Sequence, residues 1–454
     1  MQGIEEQPLV ERHELRPAAE IGVGIVGYGT VGRAAAEILT NNAEEIRRRT
    51  DGVSIRVTRL CRRSPGVEET GVNGIKISSD WKDVVSAKDV DIVIEAMGGT
   101  GVAHDVVRSS ILSGKAVVTA NKALLAQFGE EIFSLADRAG VPVGIEASVG
   151  GGVPVIRVIS EALAADRILA VYGIVNGTAN FILTQMESHG VEFSEALQQA
   201  QTIGYAEADP GLDIDGLDAR DKISILARLA FNSGVPPAHI PVTGIRSIKA
   251  TDFHYAYRLD STIRLVAAAE RYGNNITISV RPWLVRRDSM LAKVDGANNA
   301  IFLVGESVGT QMLYGRGAGG GATGAAVLSD VVQIARHLGR DLVMPSGLSG
   351  FHQPEKLHLA DHTRPVPWYL RLTIGDRPGI LARIAEAIAR EGINIDSVLQ
   401  EPHMAKENLS FVVTLEPVPA NVVERAARAI NQFDFMLEPI LVLPMISQAG
   451  GSHS

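Results

Sequence analysis

From Ile21 onward the chain alternates short β-branched apolar runs with longer stretches of helical period. "IGVGIVGYGTVG" (21–32) predicts a strand, a glycine turn and a helix start, and "SIRVTRLCRR" (54–63) predicts a second strand. "VDIVIEAMGG" (90–99) and "KAVVTANK" (115–122) predict a third and a fourth, with "VPVGIEASVGGG" (141–152) following. Continuously apolar strands separated by helices imply a parallel sheet covered on both faces. Past Gly150 the pattern changes. Ile174–Leu183 reads as a strand entering a helix, followed by a Glu/Gln-rich helix and an aspartate-rich stretch. "IRLVAAAERY", "NITISVRPWLV" and "IFLVGESV" read as strands of a second sheet, and the glycine run "YGRGAGGGATG" opens a long helix. A Pro/Gly/His-rich stretch without period is read as a linker. The remainder predicts strand, helix, strand, strand, helix, strand, in which Leu381, Ile384 and Ile388 form one apolar helix stripe. That order is ferredoxin-like, and it is expected to be a separate compact unit.

The expected organisation is a loose extension over 1–20, a nucleotide-binding unit over 21–150 completed by 315–340, and a second α+β unit over 151–314. A linker over 341–367 and the ferredoxin-like unit over 368–447 follow. A length of 454 residues is ample for these cores. The net charge of −9 with no basic stripe argues against nucleic acid as a partner. Cys61 is the only cysteine, so neither an intrachain disulfide nor a thiolate metal cluster can form, as suits a reducing cytoplasm. The acidic N-terminus reads as neither signal peptide nor anchor, and no apolar run reaches membrane-spanning length.

"GYGTVG" (Gly27, Gly29, Thr30, Val31, Gly32) lies between a predicted strand and a predicted helix. Glycines there permit a tight turn and bring backbone N–H groups to a dinucleotide pyrophosphate. An NAD-selective site wants a carboxylate ending the second strand, but this one ends in Cys61-Arg62-Arg63. Two guanidiniums suit a 2′-phosphate, which points to NADP with NAD use left open. The plain structural reading is that both arginines are merely exposed. Gly98, Gly99 and Thr100 after the third strand, and Lys122 after the fourth, fall at the same carboxyl edge, where ligands of open α/β sheets bind.

"GLDIDGLDARDK" (211–222) concentrates charge. A calcium loop with Gly216 at its sixth position would need Asp at 211 and Glu at 222; Gly211 and Lys222 stand there instead. If Leu217–Asn232 is a helix, Arg220, Asp221, Ser224, Arg228 and Asn232 make a polar face. Asp218 and Lys222 fall on the apolar side with Ile225 and Leu229. A charged pair there is either a buried structural ion pair or functional. Upstream, Glu207, Asp209 and Asp213 can line a carboxylate-rich pocket for a substrate ammonium.

The glycine motif, "TANK", "EASVGGGVP", "VNGTANFIL", "GYAEADP", "DIDGLDARDK" and "GRGAGGGAT", in this order and spacing, resemble homoserine dehydrogenase from about Ile21 to Leu338. The resemblance implies NAD(P)H-dependent interconversion of aspartate 4-semialdehyde and homoserine, on the route to threonine, methionine and isoleucine. It implies a Rossmann-type nucleotide-binding domain and an α+β substrate and dimerisation domain, hence a homodimer or homotetramer. By motif, Lys222 is similar to the family's proton donor and acceptor, with Asp218 beside it, and Lys122 resembles the second lysine, between cofactor and substrate. Glu207 and Asp213 match carboxylates that hold the substrate amino group, and Thr178 is implied to lie near the substrate. Glu146, Val149, Gly151 and Val153 match a monovalent-cation site for sodium or potassium, mostly through carbonyls. Gly317 and Gly319 return to the cofactor. Partial burial and the neighbouring Lys122 cation are expected to lower the Lys222 pKa toward the range for proton transfer, with Asp218 opposing.

The C-terminal unit resembles an ACT domain, an amino-acid-sensing module. The implied effector surface is Asp376, Pro378, Gly379 and Asn394, with L-threonine the natural ligand; a purely structural appendage is the alternative. Two other readings stay open at this point, a different Rossmann reductase of amino-acid aldehydes or imines and a non-catalytic nucleotide- and amino-acid-sensing regulator.

Overall fold

The computed structural model describes residues 20–64, 69–339, 357–360, 364–402 and 406–446. Apart from Glu20, the extension expected over 1–20 lies outside these residues, as does most of the 341–367 linker. Strands β1 (Glu20–Val26), β2 (Ser54–Cys61), β3 (Ile77–Ser78), β4 (Ile92–Glu95), β5 (Ala116–Thr119) and β6 (Val143–Gly144) form one parallel sheet in the order β3-β2-β1-β4-β5-β6. Val23, Ile25, Ile92 and Ile94 are fully buried in its core, as their unbroken apolar runs require. The strand order reverses between β1 and β4, which places a cleft at their carboxyl ends. The helix Gly320–Leu338 returns from far along the chain to cover this sheet, contributing Val327, Val331 and Ile334 to its core. It lies against the helix Thr30–Asn41 at van der Waals distance, since a Cβ on Gly324 would stand 2.9 Å from Ala35 N.

The second sheet contains β7 (Ile168–Ile174), β8 (Ser261–Tyr272), β9 (Asn275–Arg286), β10 (Asn298–Gly305), β11 (Gly309–Arg316), β12 (His358–Leu359), β13 (Val366–Ile374), β14 (Ile395–Gln400), β15 (Leu409–Val418) and β16 (Leu441–Ile446). Its order is β11-β10-β7-β8-β9-β16-β13-β15-β14, with β12 pairing β9. The last four strands have the expected ferredoxin-like connectivity, but the unit is not separate. β16 pairs with β9 in parallel through Met445–Leu284 and Ile446–Val285, so one sheet runs through both units. Apolar alternation in a strand says which face is buried, not which strand lies at its edge.

Two further expectations change. The strand expected from Ile174 ends there instead, because Asn176 caps the helix Gly177–His189 by accepting from Ala179 N. β11 lies partly inside the stretch read as a glycine run. The helix Leu217–Phe231 forms as expected and packs between the helix Lys122–Ala139 and the sheet β7–β9. Its polar face is consequently not a solvated one: Ser224 is buried, Asp221 is half-buried, and Arg228 lies 3.6 Å from Glu130 of the neighbouring helix.

The C-terminal unit docks on the helix Ala250–Arg258. Arg371 and Tyr369 both donate to Asp252, at 2.7 and 2.8 Å, where Asp252 is fully buried. Tyr255 donates to Ser410 O at 3.1 Å, and Lys249 pairs with Glu438. Truncating one partner of a buried ion pair leaves the other charge uncompensated. Asp252→Ala is therefore expected to cost about 3–5 kcal/mol in denaturant unfolding, whereas Arg258→Ala at the exposed edge of the same joint should cost under about 1 kcal/mol.

Candidate active site

The carboxyl edge of the first sheet carries the glycine loop. Gly27 has φ +106°, and a Cβ there would stand 2.4 Å from Ala96 O, so only glycine lets the turn fold under the β4 loop. Gly29 caps the helix Thr30–Asn41 without a side-chain bond and has open space in front of it. Free N–H groups at a helix start facing an open cradle fit a pyrophosphate. Gly98 and Gly99 likewise face open space, and Thr100 begins the helix Gly101–Leu112. Arg62 and Arg63 end β2 as expected, but a carboxylate does reach the place: Glu69, from the following loop, pairs with Arg62 at 2.9 Å. Arg63 is exposed.

A buried hydrogen-bond chain ties this edge to the first lysine. Glu95 is wholly buried and accepts from Met97 N and from the Thr119 hydroxyl, which in turn accepts from Asn121 N. The Asn121 side chain accepts from Leu124 N as the cap of the helix Lys122–Ala139 and donates to Gly99 O at 2.7 Å. Lys122 thus stands at the first position of that helix, directed across the domain boundary.

Across the boundary, Gly216 (φ +81°) turns the chain into the helix Leu217–Phe231, whose first turn carries Asp218. A carboxylate is stabilised at that end by the helix dipole. Asp218 Oδ2 accepts from Lys222 Nζ at 2.7 Å, and its Oδ1 lies 3.0 Å from Lys122 Nζ. Lys222 Nζ also donates to Val175 O at 2.6 Å. An ammonium has three donors, so one N–H of Lys222 remains uncommitted. Asn176 donates to both Asp213 Oδ1 and Asp218 Oδ2, at 2.7 and 2.8 Å, and binds the two carboxylates into one cluster. Sequence reasoning named Thr178 but passed over Asn176; a capping Asn ahead of a helical run was the available signal.

Burial alone would raise the Asp218 carboxyl, but the Lys222 and Lys122 ammoniums outweigh it and hold it at about 2. Burial likewise works to lower Lys122, and Asp218 outweighs it, so Lys122 shifts up rather than down.

The remaining substrate-side candidates are less gathered. Thr178 donates to Tyr205 O at 2.8 Å and so holds the turn that carries Glu207, whose own side chain is exposed. Asp209 is also exposed and accepts from Gly211 N.

At the cation motif, Glu146 is 3 % exposed and accepts from Ile156 N and Arg157 N at 3.0 and 2.9 Å. Burial first, then the Asp330 carboxylate, push Glu146 up to about 7. Asp330 accepts from Glu146 N and pairs with Arg157. Val149 and Gly151 are buried, and among the described residues their carbonyls receive no donor; the Val153 carbonyl accepts from Val155 N. Orphaned carbonyls beside an under-compensated carboxylate fit a hard monovalent cation with oxygen ligands. This turn abuts the glycine loop at 317–319, because a Cβ on Gly151 would stand 2.4 Å from Gly317 O; Gly319 opens the helix Gly320–Leu338.

In the C-terminal unit, Asp376, Pro378, Gly379 and Asn394 are all exposed. Asp376 N donates to Lys406 O, Gly379 starts the helix Ile380–Arg390, and Asn394 donates to Glu416.

Comparison with known proteins shows which family the chain resembles along its length. A family profile described as "Homoserine dehydrogenase, NAD binding domain" matches residues 27–146, "Homoserine dehydrogenase" matches 154–332, and "ACT domain" matches 368–435. A homoserine dehydrogenase of Neisseria gonorrhoeae is 38% identical, over 94% of this chain and 99% of its own length. The crystal structure of a homoserine dehydrogenase from Thiobacillus denitrificans superposes with a TM-score of 0.89 at 37% identity, covering 95% of this chain and 99% of that one. A hyperthermophilic archaeal homoserine dehydrogenase in complex with NADPH gives 0.59 at 29% identity, covering 69% of this chain and 97% of that one.

The Asp218 carboxyl, depressed from 3.8 to about 2, contributes stability above its ordinary range, and that contribution is lost as pH falls from about 4 toward 2. Equilibrium unfolding is expected to lose about 2 kcal/mol less over that window in Asp218→Asn than in wild type.

Proposed function

The chain belongs to the homoserine dehydrogenase family, NAD(P)-dependent oxidoreductases that interconvert L-aspartate 4-semialdehyde and L-homoserine, and from that premise we propose that Lys222 exchanges the proton at the substrate oxygen. The observation that carries this is the clamp on its ammonium: Asp218 and Val175 O take two donors and leave one for a ligand. Negative charge grows on the aldehyde oxygen during reduction, and a fixed ammonium stabilises it without reorganising. When bound, the nicotinamide supplies the hydride chemistry. Lys222 holds a proton for the alkoxide and takes it back in the reverse direction. Lys122, kept charged by Asp218, serves as a static cation between cofactor and substrate. Asp213, oriented by Asn176, and Glu207, on the turn held by Thr178, receive the substrate ammonium.

The cofactor cradle comprises Gly27, Gly29, Thr30, Val31, Gly32, Gly98, Gly99, Thr100, Gly317 and Gly319. Arg62 and Arg63 favour NADP through its 2′-phosphate, and Glu69 leaves NAD usable by accepting a ribose hydroxyl. A sodium or potassium ion held by Glu146, Val149, Gly151 and Val153 would brace the turn against the cofactor loop. L-Threonine is the proposed effector at Asp376, Pro378, Gly379 and Asn394. A homodimer or homotetramer in the cytoplasm completes the reading; no helix among the described residues is long and apolar enough to cross a membrane.

Lys222→Ala should lower kcat by two or more orders of magnitude while NADPH affinity, read by fluorescence titration, changes little; unchanged turnover refutes the role. In steady-state kinetics Arg63→Ser should lower the NADPH-to-NADH preference in kcat/KM about tenfold, equivalent to roughly 1.4 kcal/mol.

A further inference from the structure

The chain leaves β7 at Ile174, where the ladders to both neighbouring strands end. Gly173 pairs with Ala267 of β8 and Ile174 with Ala300 of β10, so Val175 lies beyond either ladder. Yet Val175 is the residue whose carbonyl takes a donor of Lys222, at 2.6 Å, and its successor Asn176 donates to Asp218. A carbonyl past the end of a sheet has no neighbouring strand to fix it, so its restraint must come from elsewhere.

Asn299 of β10 supplies that restraint. Its Nδ2 donates to Val175 O at 3.2 Å, so the carbonyl's two lone pairs are divided between Asn299 and Lys222. Among the described residues Val175 O accepts from no other group. Asn299 is 1 % exposed, and its Oδ1 is buried without a partner among the described residues. Turning the amide over would set that oxygen against Val175 O, acceptor against acceptor. The orphaned oxygen is therefore the consequence of aiming the donor at the carbonyl. A leucine, branched alike, would avoid the cost of a buried orphan; what the asparagine gains is the bond to Val175. Gly317 closes over the amide, since a Cβ there would stand 2.0 Å from Asn299 Cγ, 2.1 Å from Nδ2 and 2.2 Å from Oδ1. The glycine lies close enough to stop the amide from turning.

We propose that Asn299 is a positioning residue for the reaction: it fixes the Val175 carbonyl and, through it, the direction of the Lys222 ammonium. The inference rests on the proton-exchange reading of Lys222. Asp218 by itself would draw Nζ wholly to one side. A second acceptor at a set angle holds the amine between the two and aims its third donor away from both. A donor that meets growing negative charge must be placed in advance, and placement comes from the groups behind it. Covered as it is, Asn299 acts only through what it holds.

A double-mutant cycle in the semialdehyde-reducing direction, followed by NADPH loss, tests the role. Asn299→Ala should lower kcat roughly tenfold, with the KM for the semialdehyde and the affinity for NADPH within about twofold of wild type. In a Lys222→Ala background the same change should cost nothing further, because the carbonyl then has no ammonium to aim. Lys222→Ala read alone tests the parent reading, so the two can fail separately. Should Asn299→Ala not fold, Asn299→Asp keeps the shape. Its carboxylic acid donates to Val175 O only while protonated, so its kcat should begin to fall at lower pH than that of wild type. An unchanged kcat in Asn299→Ala, a loss that persists without Lys222, a loss confined to KM, or a wild-type pH profile in Asn299→Asp would each overturn the role.

Discussion

Two ammoniums in one cleft repel each other unless a carboxylate lies between them, and in this molecule a single side chain fills that place. Asp218 accepts from Lys222 on one oxygen and faces Lys122 on the other, the two lysines coming from opposite sides of the domain boundary. The Lys222 contact is the more shielded from water, and for Asp218 and Lys122 the attraction outweighs the desolvation that each suffers on its own. The same bridge fixes how the cofactor half and the substrate half of the cleft face one another. Both lysines are borne by helices that pack side by side, one capped by Asn121 and the other turned by Gly216, so the bridge rests on rigid elements.

From that bridge the remaining contacts run outward in two directions. Toward the nucleotide-binding sheet, the Glu95–Thr119–Asn121 chain links the start of the Lys122 helix to the Gly99 loop, and Gly151 packs against Gly317. Toward the C-terminal unit, Asp215, loop 243–249 and Asp252 lead to Arg371 and Tyr369. Sharing a sheet through β9 and β16 makes the regulatory unit a continuation of the substrate domain rather than an appendage. The joint is therefore linked by short, packed contacts to the helix that bears Asp218 and Lys222.

The fold was legible wherever chemistry is local. β1, β2, β4 and β5 stand where apolar runs predicted them, while the two-residue β3 had no such run; the helix from Leu217 begins at the expected residue, and the connectivity of the C-terminal unit follows from its period. What escaped was set by partners distant in sequence. Nothing in "EPILVLPMI" says that β16 will pair with β9, and nothing in "LDARDKISILARLAFN" says that its polar side will be covered by the helix bearing Lys122. The Asp218–Lys222 pair was readable from i, i+4 spacing, whereas the approach of Lys122, nearly a hundred residues earlier, was readable only through family resemblance. Asn176 and Glu69 were missed for the same reason, since each acts on a carboxylate or guanidinium that the chain brings to it from elsewhere.

The most direct test is a crystal structure with NADP and L-homoserine bound together. The account predicts the homoserine hydroxyl within about 3.2 Å of Lys222 Nζ, with Asp218 still bridging the two lysines. A hydroxyl seated against another group, with Lys222 turned back entirely onto Asp218 and Val175, would contradict it.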